Sequence, residues 1–237
     1  TTAISNDNPE TTVKTNAKNA IDQDLASKIS AIEGRQDLSE AEKTEAKNKA
    51  TEKATSAKTA IENATTTAEV NTAKGNGTTA IDNVTPVAKE AAKKAINDEL
   101  ATKNTEIDNR QDLSQAEKTA AKAEAKKLAD AQLAEIAKQP DATDTPDAAT
   151  TAQQAVDAAK TKGVADVRAV NPLAKDAAKA DIETARQNKV NDITDNNNLS
   201  QAEKDAAIAK VNKAAEDATK AVDAATTADA LTTAKGN

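Results

Sequence analysis

Large aliphatic residues are sparse along this chain, and where they occur they step by three and four. Ile21, Leu25, Ile29 and Ile32 fall on one helical face. The same steps return at Ile96, Leu100, Asn104 and Ile107, and again at Ile182, Arg186, Val190 and Ile193. A second stripe, mostly Ala, runs through Ala46, Ala50, Ala57 and Ile61, with counterparts at Ala121, Ala125, Gln132 and Ile136 and at Ala207, Val211, Ala218 and Val222. A third runs through Val70, Ala73, Gly77, Ile81 and Val84, matched by Val156, Ala159, Gly163, Val167 and Val170, and its last copy stops soon after Leu231. The pattern predicts one unit of three helices, written three times.

A short motif marks the register. Leu38-Ser39-Glu40-Ala41-Glu42-Lys43 returns at Leu113 and at Leu199, after 75 and then 86 residues. Ser39, Ser114 and Ser200 have the spacing to cap a helix start, with Glu42, Glu117 and Glu203 three residues on reaching back to the cap, so the motif reads as a capping box. Lys43, Lys118 and Lys204 stand where a hydrophobic staple needs an apolar partner, so the preceding leucines are expected to plug the end of a bundle. The eleven extra residues of the second unit fall around Gln139–Asp147, between its second and third helices, and are expected to form a surface excursion. Thr85-Pro86 and Asn171-Pro172, like Asn8-Pro9, place a capping residue before a proline, which predicts helices starting at those prolines.

A single helix with an alanine stripe buries too little to stand alone, so the three must pack together. The expected fold is all-α: three tandem three-helix bundles arranged end to end as an elongated rod, on the order of 110 to 130 Å long. The expected division is 1–10 as an N-terminal extension, 11–85 as the first repeat, 86–171 as the second with its inserted loop at 139–147, and 172–237 as the third with its third helix truncated. A frame that groups each third helix with the next two is the alternative, and the contacts of the helix over 148–170 decide between them.

Composition narrows the chemistry. The 237 residues include no Cys, His, Met, Phe, Tyr or Trp, which removes most nucleophiles, general bases near neutrality, soft metal ligands and base-stacking platforms. There are 56 Ala against 32 Ile, Leu and Val together, a poverty of large apolar residues typical of disordered chains. The in-register stripes and the helix propensity of Ala oppose disorder. The net charge of −7 divides as −3, −2 and −2 over 1–85, 86–171 and 172–237, an evenness that argues against nucleic acid and anionic membranes as partners. No apolar run approaches the ~20 residues of a membrane span. With neither a signal peptide nor an initiator Met, the sequence reads as an excised piece of a longer protein.

The unit resembles the helical repeat, catalogued as a domain of unknown function, that occurs in tandem in cell-wall-anchored surface proteins of Gram-positive cocci and lactobacilli. The resemblance is carried by Glu42-Lys43, Glu117-Lys118 and Glu203-Lys204, by Ile61, Ala64 and Thr66, by Val70 and Ala73, and by Gly77, Ile81, Val84 and Pro86, and it covers nearly all of 11–237. The second unit departs by its insertion and by Gln139 where Ala64 stands. The resemblance implies an extracellular, cell-surface stalk, wall-anchored in the full-length protein.

No catalytic, cofactor-binding or metal-binding residue is nominated, and no enzyme activity is expected. Asp141, Asp144 and Asp147 lack the alternating acids, glycine and terminal Glu of a calcium loop. Gly75, Gly77 and Gly163 lie inside helical patterns, where close packing explains them better than phosphate binding. The four sequons at Asn63, Asn76, Asn83 and Asn198 are expected to stay unmodified. The leading expectation is a monomeric, non-catalytic spacer whose partners are its neighbouring repeats. The alternative is an adhesin module that binds host matrix or serum proteins or promotes bacterial aggregation, with Val164, Leu133 and Leu173 as candidate apolar contacts.

Overall fold

The computed structural model describes residues 11–236. Among them the chain forms nine helices: α1 (Thr11–Glu33), α2 (Glu40–Asn63), α3 (Thr67–Asp82), α4 (Glu90–Asn109), α5 (Gln115–Ala137), α6 (Pro146–Ala169), α7 (Lys175–Thr194), α8 (Gln201–Ala224) and α9 (Ala228–Gly236). Two two-residue strands, β1 (Thr85–Pro86) and β2 (Ala142–Thr143), pair antiparallel. The fold is all-α, as the three- and four-residue steps require. Asn8-Pro9 lies outside the described residues.

The chain divides into two compact units. One runs through Glu99 and adds Leu128–Ala165, and the other holds Leu100–Lys127 and Asp166 onward. In the first, α1, α2 and α3 pack mutually around Ala17, Ile21, Ala54, Ala57, Ile61, Val70 and Ile81. Its α6 segment meets the α4 and α5 segments at Gly163, where an added Cβ would lie 2.8 Å from Ile96 Cδ1 and 3.1 Å from Gln132 Cβ. In the second unit α7, α8 and α9 pack together through Ala178, Ile182, Ala218, Val222 and Ala234.

Alanine and glycine set the helix spacing. A Cβ on Gly77 would overlap Ala57 Cβ and approach Ile21 Cδ1 to 2.8 Å, whereas one on Gly75 would meet nothing within 4 Å. Gly77→Ala is therefore expected to destabilise by roughly 1–3 kcal/mol, because overpacking outweighs the gain in helix propensity. Gly75→Ala is expected to stabilise by about 0.5–1 kcal/mol. Urea melts of the two variants check both signs.

The start of each second helix follows the sequence reading closely. Ser39, Ser114 and Ser200 accept from the amides of Glu42, Glu117 and Glu203 at 3.3, 3.2 and 3.4 Å, and those carboxylates accept from the serine amides at 2.7, 2.9 and 2.9 Å. A fourth box, Thr66 with Glu69, closes the start of α3. The Thr-x-x-Glu spacing of Thr66 and Glu69 signals it in the sequence. Leu38 is buried with Ile32, Ala46, Ala88 and Ala142, and Leu113 with Ile107 and Ala121, so both plug an end. In the turns before them, Arg35 forks onto Asp37 and Arg110 onto Asp112, through bonds of 2.5 to 2.6 Å.

Two expectations are corrected. Pro86 and Pro172 do not open helices. Pro86 sits in β1 and α4 begins at Glu90, while Pro172 lies in the connection before α7, which begins at Lys175. Ala174, which precedes α7, offers no side-chain cap. The insertion is a surface excursion only in part: Pro140, Asp141 and 144–147 are exposed. Ala142 and Thr143 are 7% exposed each, and the added length goes into β2 and an early start of α6, whose Ala149 and Ala152 are buried. Small residues in a charged stretch look like loop composition in one dimension. Here they fit because the neighbouring surface is an apolar seat of matching size.

Candidate functional site

The sites of interest are the two short connections that pass from one three-helix run to the next, α3 to α4 and α6 to α7. At each, the chain leaves a helix, runs for seven residues at the first connection and five at the second, and starts a helix that has no cap of its own. A helix start leaves up to four amides without intrahelical acceptors.

The acceptor comes from the repeated motif. Glu42, in the first turn of α2, holds the Ser39 amide with Oε2. Its Oε1 accepts from the amides of Lys89 and, at 2.9 Å, of Glu90, the first residue of α4. One carboxylate thus serves two helix starts, its own and one whose amides lie 47 and 48 residues further on, and it is only 3% exposed. Glu117 repeats the arrangement in the other compact unit: Oε2 on the Ser114 amide and Oε1 on the Asp176 amide of α7 at 3.0 Å. Ser114 Oγ also bonds Asp176. Glu203, the third copy, bonds Ser200 through Oε2.

Burial pushes the Glu42 carboxyl up, but amide hydrogen bonds from Ser39, Glu90 and Lys89 outweigh it and hold the pKa below the ordinary glutamate value. A lowered folded pKa means stability that is fully present above the unfolded value near 4.5 and lost as pH falls through the folded one. The α3–α4 connection is therefore expected to loosen below about pH 4.5. Hydrogen exchange at the Lys89 and Glu90 amides, corrected for intrinsic rates and followed from pH 6 to pH 3, checks this. Unchanged protection, or the same loss in Glu42→Gln, would refute it.

At the α3–α4 connection the insertion adds a second layer. β2 pairs with β1, Thr143 opposite Thr85 and Ala142 opposite Pro86, and the Val87 amide donates to Asp141 O at 2.9 Å. Lys89 Nζ binds Gln139 O at 2.6 Å and Asp141 at 2.7 Å. Asp144 pairs with Lys53 at 2.9 Å and Lys49 at 3.4 Å, and Lys53 foremost holds its carboxyl below the ordinary range. Gln153 pairs both backbone groups of Ala88. Of the three insertion aspartates, two are thus committed to lysines and Asp147 lies in the first turn of α6. The described residues hold no cluster of three potential metal-binding side chains.

The candidate apolar contacts Leu133, Val164 and Leu173 are all half-buried. Leu173 lines a groove beside the α6–α7 connection. A separate groove of about 260 Å³ is lined by Ile182 and Ala218, with Lys235 of α9 beside them, and the counterparts Ile21 and Ala57 lie against Gly77 of α3. The double role of Glu42 and Glu117 was not visible in sequence, because a capping box explains both conserved-looking positions without a second helix. The signal that could have found it was the absence of any capping side chain at Ala88-Lys89 and Ala174-Lys175.

A family model described as Domain of Unknown Function (DUF1542) matches residues 13–89 and 174–237, more than half of the chain. The stretch between, 90–173, holds the insertion. No curated protein and no solved structure matches the chain.

Proposed function

Since this chain belongs to the DUF1542 family, a repeat of Gram-positive surface proteins, we propose that it is a non-catalytic spacer that projects an adhesive or effector domain from the cell wall. The family is not a known enzyme family, and the fold is all-helical. The observation that carries the reading is the glutamate shared between two helix starts at both connections. A freely jointed string of domains needs no such bond, whereas a spacer that must keep its length does. Each repeat then ends by holding the start of the next, and the family's tandem occurrence extends the same joint. The described residues include no helix long and apolar enough to cross a membrane, and the reading places the chain outside the cell, attached to the wall through parts of the protein beyond these repeats.

Small-angle scattering on the monomeric chain tests this. Three end-to-end bundles on the order of 120 Å long give a radius of gyration of about 35 Å, against about 18 Å for a compact globule of this size. A value near the lower figure ends the proposal. An adhesin role is the second reading, favoured by the groove at Leu173, and binding to host matrix or serum proteins at micromolar concentration is its assay.

A further inference from the structure

The two connections are copies of one design, and one of them lacks a part. Val84, Pro86, Val87, Ala88 and Lys89 are all buried, while their counterparts Val170, Pro172, Leu173, Ala174 and Lys175 are all half-buried. The difference is β2. The apolar cluster at the first connection comprises Ile32, Leu38, Ala46, Ala88 and Ala142. The second has Ile107, Leu113 and Ala121, with Val170 and Ala174 packed against them, and nothing in the place of Ala142. What lies there is a groove of about 440 Å³, lined among others by Ala121, Pro172 and Leu173, with Ala225 at its edge. Ala225 occupies the position of Gln139, after which the first connection's strand enters.

The polar fittings of the strand seat remain as well. The Leu173 amide, whose counterpart Val87 donates to Asp141 O, makes no backbone–backbone bond among the described residues. Lys175 Nζ binds Asp223 O at 2.8 Å, two positions before the place where Lys89 Nζ binds Gln139 O, and its ammonium has further donors for a carboxylate in the position of Asp141. One fitting is reversed: Glu124 stands in the groove lining where Lys49 meets Asp144. The chain's own insertion, with Asp144, is the wrong charge for this copy.

We propose that this groove binds an extended segment of a partner protein with the pattern acidic, small, small, basic, which adds as a short antiparallel strand to Asn171–Leu173. The acid meets Lys175, the first small side chain fills the place over Ala121, and the basic side chain meets Glu124. Strand addition supplies main-chain bonds, and alternate pockets supply selectivity. The inference goes beyond the spacer role and does not depend on it, since scattering length plays no part in its test.

The probe is a nine-residue peptide with the sequence of Gln139–Asp147 carrying Asp144→Lys, titrated into the full chain and followed by amide chemical shifts and by fluorescence anisotropy. Saturable shifts are expected at Ala121, Asn171, Leu173 and Lys175, with the unsubstituted peptide about threefold weaker. Glu124→Lys, a surface change, is expected to reverse that order. Ala121→Leu, which fills the vacant place, is expected to abolish saturation with the helical spectrum retained. Absence of saturation up to millimolar peptide, shifts centred elsewhere, or an order of peptides indifferent to Glu124→Lys would each overturn the proposal.

Discussion

Glu42→Ala is expected to cost on the order of 3 kcal/mol, the largest loss for any single substitution on the helix surfaces. The change removes one side chain but strips acceptors from two helices, leaving the amides of Ser39, Lys89 and Glu90 without them. A buried amide left unpaired loses about 1–3 kcal/mol, and a lost cap about 1. Glu117→Ala removes the same pair of functions where the site is half-buried, so water can replace part of what is lost and the effect is smaller. Glu203→Ala removes one capping box from an exposed turn and has the smallest effect of the three. The order Glu42, Glu117, Glu203 is the content of the prediction. Urea denaturation of the three variants, with hydrogen exchange at Lys89 and Asp176 to localise the loss, decides it. Equal effects would mean that the carboxylates act only within their own helices.

Replacing Gln139–Ala152 with Ala-Thr-Thr, the turn that stands at Ala64–Thr66, is expected to destabilise the first connection by about 2–4 kcal/mol while leaving the α7–α9 run untouched. The loss has three parts: the apolar cover over Val84, Pro86 and Val87, the strand bonds of Asp141–Thr143, and the ion pairs of Lys89 with Asp141 and of Lys49 and Lys53 with Asp144. The first two dominate, because the pairs of Lys49 and Lys53 with Asp144 lie at the surface and contribute about 0–1 kcal/mol each. The chain contains its own control. After the replacement, exchange protection from Val84 to Glu90 should fall to the level found from Val170 to Asp176, where no insertion exists. If protection at the first connection stays high, β2 is a passenger rather than a clamp.

Much of this architecture was legible in one dimension. Steps of three and four placed the helices to within a few residues, because an amphipathic helix must turn its apolar stripe inward. The Ser-x-x-Glu boxes are local, and local bonds can be read from spacing. Gly77 and Gly163 were legible as packing sites because glycine within a helix is costly unless something lies close, but the same reading fails at Gly75, where an added Cβ would meet nothing within 4 Å. What was not legible were bonds between residues 47 to 65 apart. Glu42 satisfies its own motif completely, so nothing in its neighbourhood announced a second obligation. Asn104 is a smaller case, read simply as a polar member of a stripe. Its Oδ1 is buried without a hydrogen-bond partner.

The sequence alone determined the helical class, the threefold unit, the helix starts at the repeated motif and the absence of the side chains that most enzyme chemistry uses. These follow from periodicity, propensity and composition, which act within a turn or two of helix. Only the tertiary structure decided where α4 and α7 begin, what caps them, and that the eleven extra residues close one connection while its copy stays open. The physical reason is that an unsatisfied amide or an uncovered valine is indifferent to the source of its partner. Which distant carboxylate or alanine arrives there is set by the packing of the helices between them.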